Sequence, residues 1–94
     1  MSIVDPILAM VKTDLQISSS AYDEYLWQLV ESAKSFIETE GITLDLTAAA
    51  DIQIVEMYAA YLYRSKTKDD AAMPRSLRYA LNNRLFKEKA AENG

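Results

Sequence analysis

Punctuation constrains this chain more than any other feature. Its 94 residues hold only two prolines and two glycines, at Pro6, Gly41, Pro74 and Gly94. An all-β fold needs turn residues every 8–12 positions or so and cannot be assembled from so few. Between these marks the apolar residues return at steps of three and four, the spacing of one helix face. The chain therefore reads as all-α. It is expected to form a small bundle of four helices, with room for a fifth, around one long central helix. One domain over residues 1–94 is expected, with residues 88–94 a frayed tail.

Asp5 and Pro6 open the first helix. Asp is a favoured N-cap, and Pro at the first helical position lacks only an N–H that would be unpaired anyway. Ile7, Leu8, Met10 and Val11 give this helix its apolar side, and Leu15 and Ile17 lead out of it. Ser18-Ser19-Ser20 breaks the pattern, and Ser20 with Asp23 has the spacing of a capping box. A long second helix is expected from about Ala21 to Glu40, burying Tyr22, Leu26, Leu29, Ala33, Phe36 and Ile37. Gly41 ends it, because glycine accepts a left-handed C-terminal conformation. The third helix should run from about Ala48 to Ser65, capped by Asp45 or Thr47, with Ile52, Val55, Tyr58 or Ala59, and Leu62 inward. Ala59-Ala60 lets a neighbouring helix come close. Arg64 to Ala72 reads as a loop, and Pro74 opens a fourth helix built on Leu77, Leu81 and Leu85.

Composition narrows the function. A chain of this length buries roughly 60–65% of its unfolded surface, enough for a modest core. There is no Cys and no His, so disulfides and thiolate metal sites are excluded, and the usual acid–base group is missing. Asp23-Glu24 and Asp69-Asp70 are adjacent pairs, but neighbours on a helix point about 100° apart and form no catalytic dyad. No glycine-rich phosphate loop or Gly-x-Ser-x-Gly elbow occurs. A non-enzymatic protein without cofactor or metal is expected. With no basic leader and no apolar run near 20 residues, it should be soluble, intracellular and without membrane contact.

Charge is divided along the chain. Residues 1–56 carry ten carboxylates against Lys12 and Lys34, and residues 57–94 carry eight Lys and Arg against four carboxylates. The halves are thus about −8 and +4. A surface of one sign can meet the opposite surface of a second copy, as a head-to-tail ring requires. Trp27 and Tyr61 fall off the apolar stripes, which makes them interface anchors or residues buried under the first helix or the C-terminal tail. Arg75, Arg78, Arg84, Lys87 and Lys89 line the fourth helix, as contacts for an acidic protein surface, for phosphate, or for solvent alone.

Leu15-Gln16-Ile17, then Tyr22-Asp23-Glu24-Tyr25-Leu26, open a recurring order of signals. Leu29 to Ala33, Phe36-Ile37-Glu38 and Gly41 follow, then Ala59 to Arg64, then Met73-Pro74-Arg75-Ser76-Leu77. Over about residues 5–87 this order resembles the small head-to-tail connector (adaptor) family of tailed bacteriophages and prophages. Met73 stands where that family's Leu-Pro step has leucine. The resemblance implies a ring of copies docked beneath the portal protein, in the virion neck after assembly in the host cytoplasm. Such a ring extends the channel, lets DNA pass without sequence-specific contact, and receives a further neck or tail protein. The residue roles come from charge and periodicity instead. The acidic second-helix face of one copy would meet the basic third-helix exit and fourth helix of the next. Trp27 and Tyr61 would be anchors, with Arg64, Arg75, Arg78 and Arg84 at a subunit or portal contact. The alternatives are a helical regulator that binds another protein as a monomer or dimer, and a nucleic-acid binder using the basic fourth helix.

Overall fold

The computed structural model of the chain describes residues 5–67 and 72–93. Four helices account for most of them: α1 (Pro6–Leu15), α2 (Asp23–Thr39), α3 (Ala49–Thr67) and α4 (Arg75–Asn93). No strand and no fifth helix occur among the described residues. The helix expected to be long and central, α2, has 17 residues, against 19 in each of α3 and α4. The central position belongs to α3, which packs against all three others.

The first helix begins as its sequence dictates. Asp5 is its N-cap, and its carboxylate accepts the N–H groups of Ile7 (2.8 Å) and Leu8 (3.1 Å). Its end lies at Gln16, in the left-handed region at φ 58°. There the Gln16 N–H reaches the Thr13 carbonyl and the Ile17 N–H reaches that of Lys12. This paired closure satisfies two carbonyls that the last turn would otherwise leave bare.

The expected capping box at Ser20 does not form. α2 starts at Asp23 with no side-chain cap, and Ser20 accepts the Asp23 N–H through its backbone carbonyl. The Asp23 carboxylate is drawn elsewhere, with Lys12 Nζ of α1 2.6 Å from its Oδ1. Gly41 follows α2 at φ +103°, a conformation that strains any residue with a Cβ.

Two expected boundaries move outward. α3 continues through Thr67, so Arg64 to Thr67 are helical rather than loop; residues 68–71 of that loop lie outside the described residues, and Ala72 is non-helical as expected. α4 runs to Asn93, past the tail expected to fray from residue 88. Glu88 explains the second shift, because its carboxylate accepts the Thr43 N–H and lies 3.9 Å from Arg84 Nη1. It thereby ties the late turns of α4 to the α2–α3 connection, and the following Ala90-Ala91 has high helix propensity.

The core combines Ile7, Leu8 and Val11 of α1 with Leu26, Leu29, Val30, Ala33 and Ile37 of α2. Ile54, Val55, Tyr58 and Ala59 of α3 and Leu77 and Leu81 of α4 complete it, with Ile42 anchoring the connection. Small side chains sit where helices come closest: Ala33, Ala59 and Ala60 have no exposed surface. Tyr22, placed inward by its spacing, is 53% exposed, and Phe36 stands at the edge of the core, stacked on Tyr58 with 5.9 Å between ring centroids. The α3 stripe is also rotated from expectation. Ile52 and Leu62 are half-buried, while Asp51 and Glu56 are buried. The molecule measures 46 × 32 × 18 Å. Its thin dimension admits only about two helix diameters.

Candidate interaction surface

Much of the charge division is neutralised inside the chain. Arg64 Nη2 of α3 lies 3.0 Å from Asp14 Oδ1 of α1. Arg78 Nη1 of α4 lies 3.3 Å from Glu40 Oε1, just after α2. Arg84 of α4 is the most engaged. Its Nε donates to Asp51 Oδ1 at 2.8 Å and its Nη2 to the Thr43 carbonyl at 2.7 Å. Asp51 in turn accepts the Asp45 N–H through Oδ2 at 2.8 Å, and Asp45 accepts the Thr47 N–H. The α2–α3 connection is thus clamped between the start of α3 and the second half of α4. Arg64, Arg78 and Arg84, expected at contacts between subunits, are bound to acids of their own chain.

The two expected aromatic anchors are likewise part of the fold. Trp27 is half-buried against the core, and Lys34 Nζ stands 5.3 Å from its ring centroid. Tyr61 is half-buried with its ring edge-on to Tyr58, 6.0 Å between centroids. Packing against the core decides both placements, because each residue lies at the margin of a buried stripe and a large ring reaches inward from there.

The uncovered surface lies elsewhere on α4. Tyr79 is 65% exposed and Phe86 76% exposed. Seven residues apart, they share one side of the helix about 10 Å from each other. That side is opposite Leu77 and Leu81, which are fully buried. Arg75, Asn82 and Lys89 share the outward side by the same periodicity, and all three are exposed. Arg75, Lys87 and Lys89 make no ion pair among the described residues. The outer side of α2 is its opposite in charge, with exposed Glu24, Glu31 and Glu38 at seven-residue intervals. Among the described residues Glu31 alone of the three has a cationic partner, Lys34 at 3.5 Å.

Grooves also lie between the helices among the described residues. One, of about 270 Å³, runs between α3 and α4 with Ile54 and Ala80 at its apolar wall and Gln53, Asn83, Arg84 and Lys87 around it. Another, of about 410 Å³, lies between α1 and α3 and is lined by Ala9, Met10, Thr13, Asp14 and Glu56. Among the described residues no group of three or more acids is placed to hold a metal ion, and no helix is long and apolar enough to cross a membrane.

No family model, curated protein or solved structure matches the chain.

What the surface can do follows from its own chemistry. Exposed aromatic rings flanked by unpaired cations suit a partner that brings apolar groups and carboxylates together. Phe86 could have been found in the sequence, since it falls seven residues after Tyr79 and opposite the Leu77–Leu81–Leu85 row. The intramolecular arginine pairs could not, because their partners lie 33 to 50 positions away.

Proposed function

We propose that this chain is a structural subunit of a phage head–tail connector ring, docked beneath the portal, extending the DNA channel and receiving the next neck or tail component. The observation that supports this reading best is the outer side of α4, where Tyr79 and Phe86 stand exposed beside Arg75 and Lys89. Large rings left in water cost free energy until a partner covers them, so such a face suits an assembly protein better than a free-standing one. The acidic row Glu24, Glu31 and Glu38 on α2 supplies the complementary surface in a second copy. A contact from α4 of one copy to α2 of the next is heterologous, and copies joined this way close into a ring if the rotation allows. The four-helix architecture and the connector-like order of its sequence signals agree with this role.

The test is assembly on a portal. The purified chain is mixed with the portal ring from the genome that encodes it and viewed by electron microscopy. An added layer of density beneath the portal is the expected result. The double variant Tyr79→Ser, Phe86→Ser should leave the far-UV spectrum unchanged and remove the layer. If the native chain adds no layer and instead binds another protein as a monomer or dimer, the regulator reading replaces this one.

A further inference from the structure

Two acids meet where α1 packs on α3. Glu56 of α3 is 5% exposed, and among the described residues its Oε2 has no hydrogen-bond partner. Asp14 of α1 lines the same groove. The one hydroxyl of that groove, on Thr13, donates to the Ala9 carbonyl of its own helix at 3.0 Å. Arg64 satisfies Asp14 from the outside, at 3.0 Å. Lys12, the cation of α1, is held 2.6 Å from Asp23 of α2. An ionised Glu56 would therefore be a buried charge beside a second negative charge. Carboxyl groups so placed do not both ionise; one keeps its proton and donates it to the other.

We infer that Asp14 and Glu56 share one bound proton, and that this proton latches α1 onto α3. Glu56 is the donor and Asp14 the acceptor. Burial, the hydrogen bond to Asp14 and the charge of Asp14 together push the Glu56 carboxyl up to about 8. Asp14, accepting that hydrogen bond and facing Arg64, is held below its ordinary value. When the proton passes to water, two carboxylates are left facing each other across the seam. Among the described residues Arg64 is the cation placed to offset them, and α1 loosens from α3.

The direction with pH follows from linkage. With α1 docked, Glu56 holds its proton up to about pH 8; with α1 undocked and the acid in water, it holds it only to about 4.3. Docking therefore binds a proton throughout the window between these values. Its equilibrium constant falls up to tenfold for each pH unit across that window and levels off above and below it.

Two measurements on the full chain test the latch. Carbon-13 NMR of the side-chain carboxyls should show Glu56 titrating above pH 7, and a midpoint below pH 6 overturns the inference. Hydrogen exchange, expressed as protection relative to the intrinsic rate at each pH, should show α1 losing protection up to tenfold between pH 6 and 7, while the buried turns of α3 lose less. Glu56→Gln keeps a neutral donor facing Asp14, so it should hold α1 protection flat over the same range. Asp14→Asn removes the like charge and should move the Glu56 midpoint toward acid. PH-dependent protection that persists unchanged in Glu56→Gln also overturns the latch.

Discussion

Asp51 shows how much one residue can decide here. It is 3% exposed, at the start of a helix, and it holds both the Arg84 guanidinium and the Asp45 backbone N–H. Removing one partner of a buried ion pair leaves an uncompensated charge and costs about 3–5 kcal/mol. Arg84→Ala should therefore lower stability by about 3 kcal/mol, read as a fall in the urea midpoint with little change in slope. Arg78→Ala removes a far more exposed pair with Glu40 and should cost less than about 1 kcal/mol. Equal losses in the two variants would refute this distinction. Reversing Arg84 to Glu is for the same reason a poor probe of assembly, because it would disturb the clamp before any interface. Arg75 and Lys89, with no ion pair of their own among the described residues, are the cations to reverse.

At the scale of elements, the helix ends carry separable contributions. Gly41 at φ +103° would meet Leu85 Cδ1 at an ordinary 3.6 Å if it gained a Cβ. Gly41→Ala should consequently cost about 1–2 kcal/mol through backbone strain and not through a clash. Gln16 presents the reverse case, a residue with a Cβ in the left-handed region at φ 58°. Gln16→Gly should raise the melting temperature, with a gain of about 1 kcal/mol. An unchanged or lower melting temperature would show that the Gln16 side chain compensates its own strain.

What could be read from the sequence divides along the same line. Asp5, Pro6, Gly41 and Pro74 act within a few residues of themselves, so each helix could be anticipated from its own letters. Leu26, Ala33, Ile37, Leu77 and Leu81 repeat at the helical step, so their burial was legible too. Asp23 departs from its local pattern because its partner is a lysine on another helix, and Tyr22 because it is the N-cap before α2, where the helical step does not yet apply. Glu56 was overlooked for a related reason. Its burial depends on how α1 lies across α3, and no periodicity within α3 encodes that.

For the whole molecule, thinness matters most. At 18 Å in its short dimension the bundle has little depth, and each helix on its periphery keeps one side uncovered. Polar residues cover most of α2's outer side, whereas α4 leaves Tyr79 and Phe86 in water. Because three of the C-terminal arginines are paired internally, the proposed attraction between copies would rest on few charges. Added salt from about 50 to 200 mM should weaken the proposed self-association only modestly, measured by sedimentation, since exposed charges are screened but ring burial is not. Loss of association by orders of magnitude over that range would mean that charge, not the aromatic pair, drives the contact.

The clamp on the α2–α3 connection also bears on how the chain comes to be folded during synthesis. Its donors and acceptors on α4, Arg84 and Glu88, leave the ribosome more than thirty residues after the Thr43 and Asp51 groups they hold. Until then α1, α2 and α3 can pack around Ala33 and Ala59, but Asp51 must wait in contact with water. A three-helix stage with an unlocked loop is thus open to the nascent protein. Variants at Arg84 should then slow the locking of the loop as well as weaken the finished fold, read as slower refolding beside a lower urea midpoint.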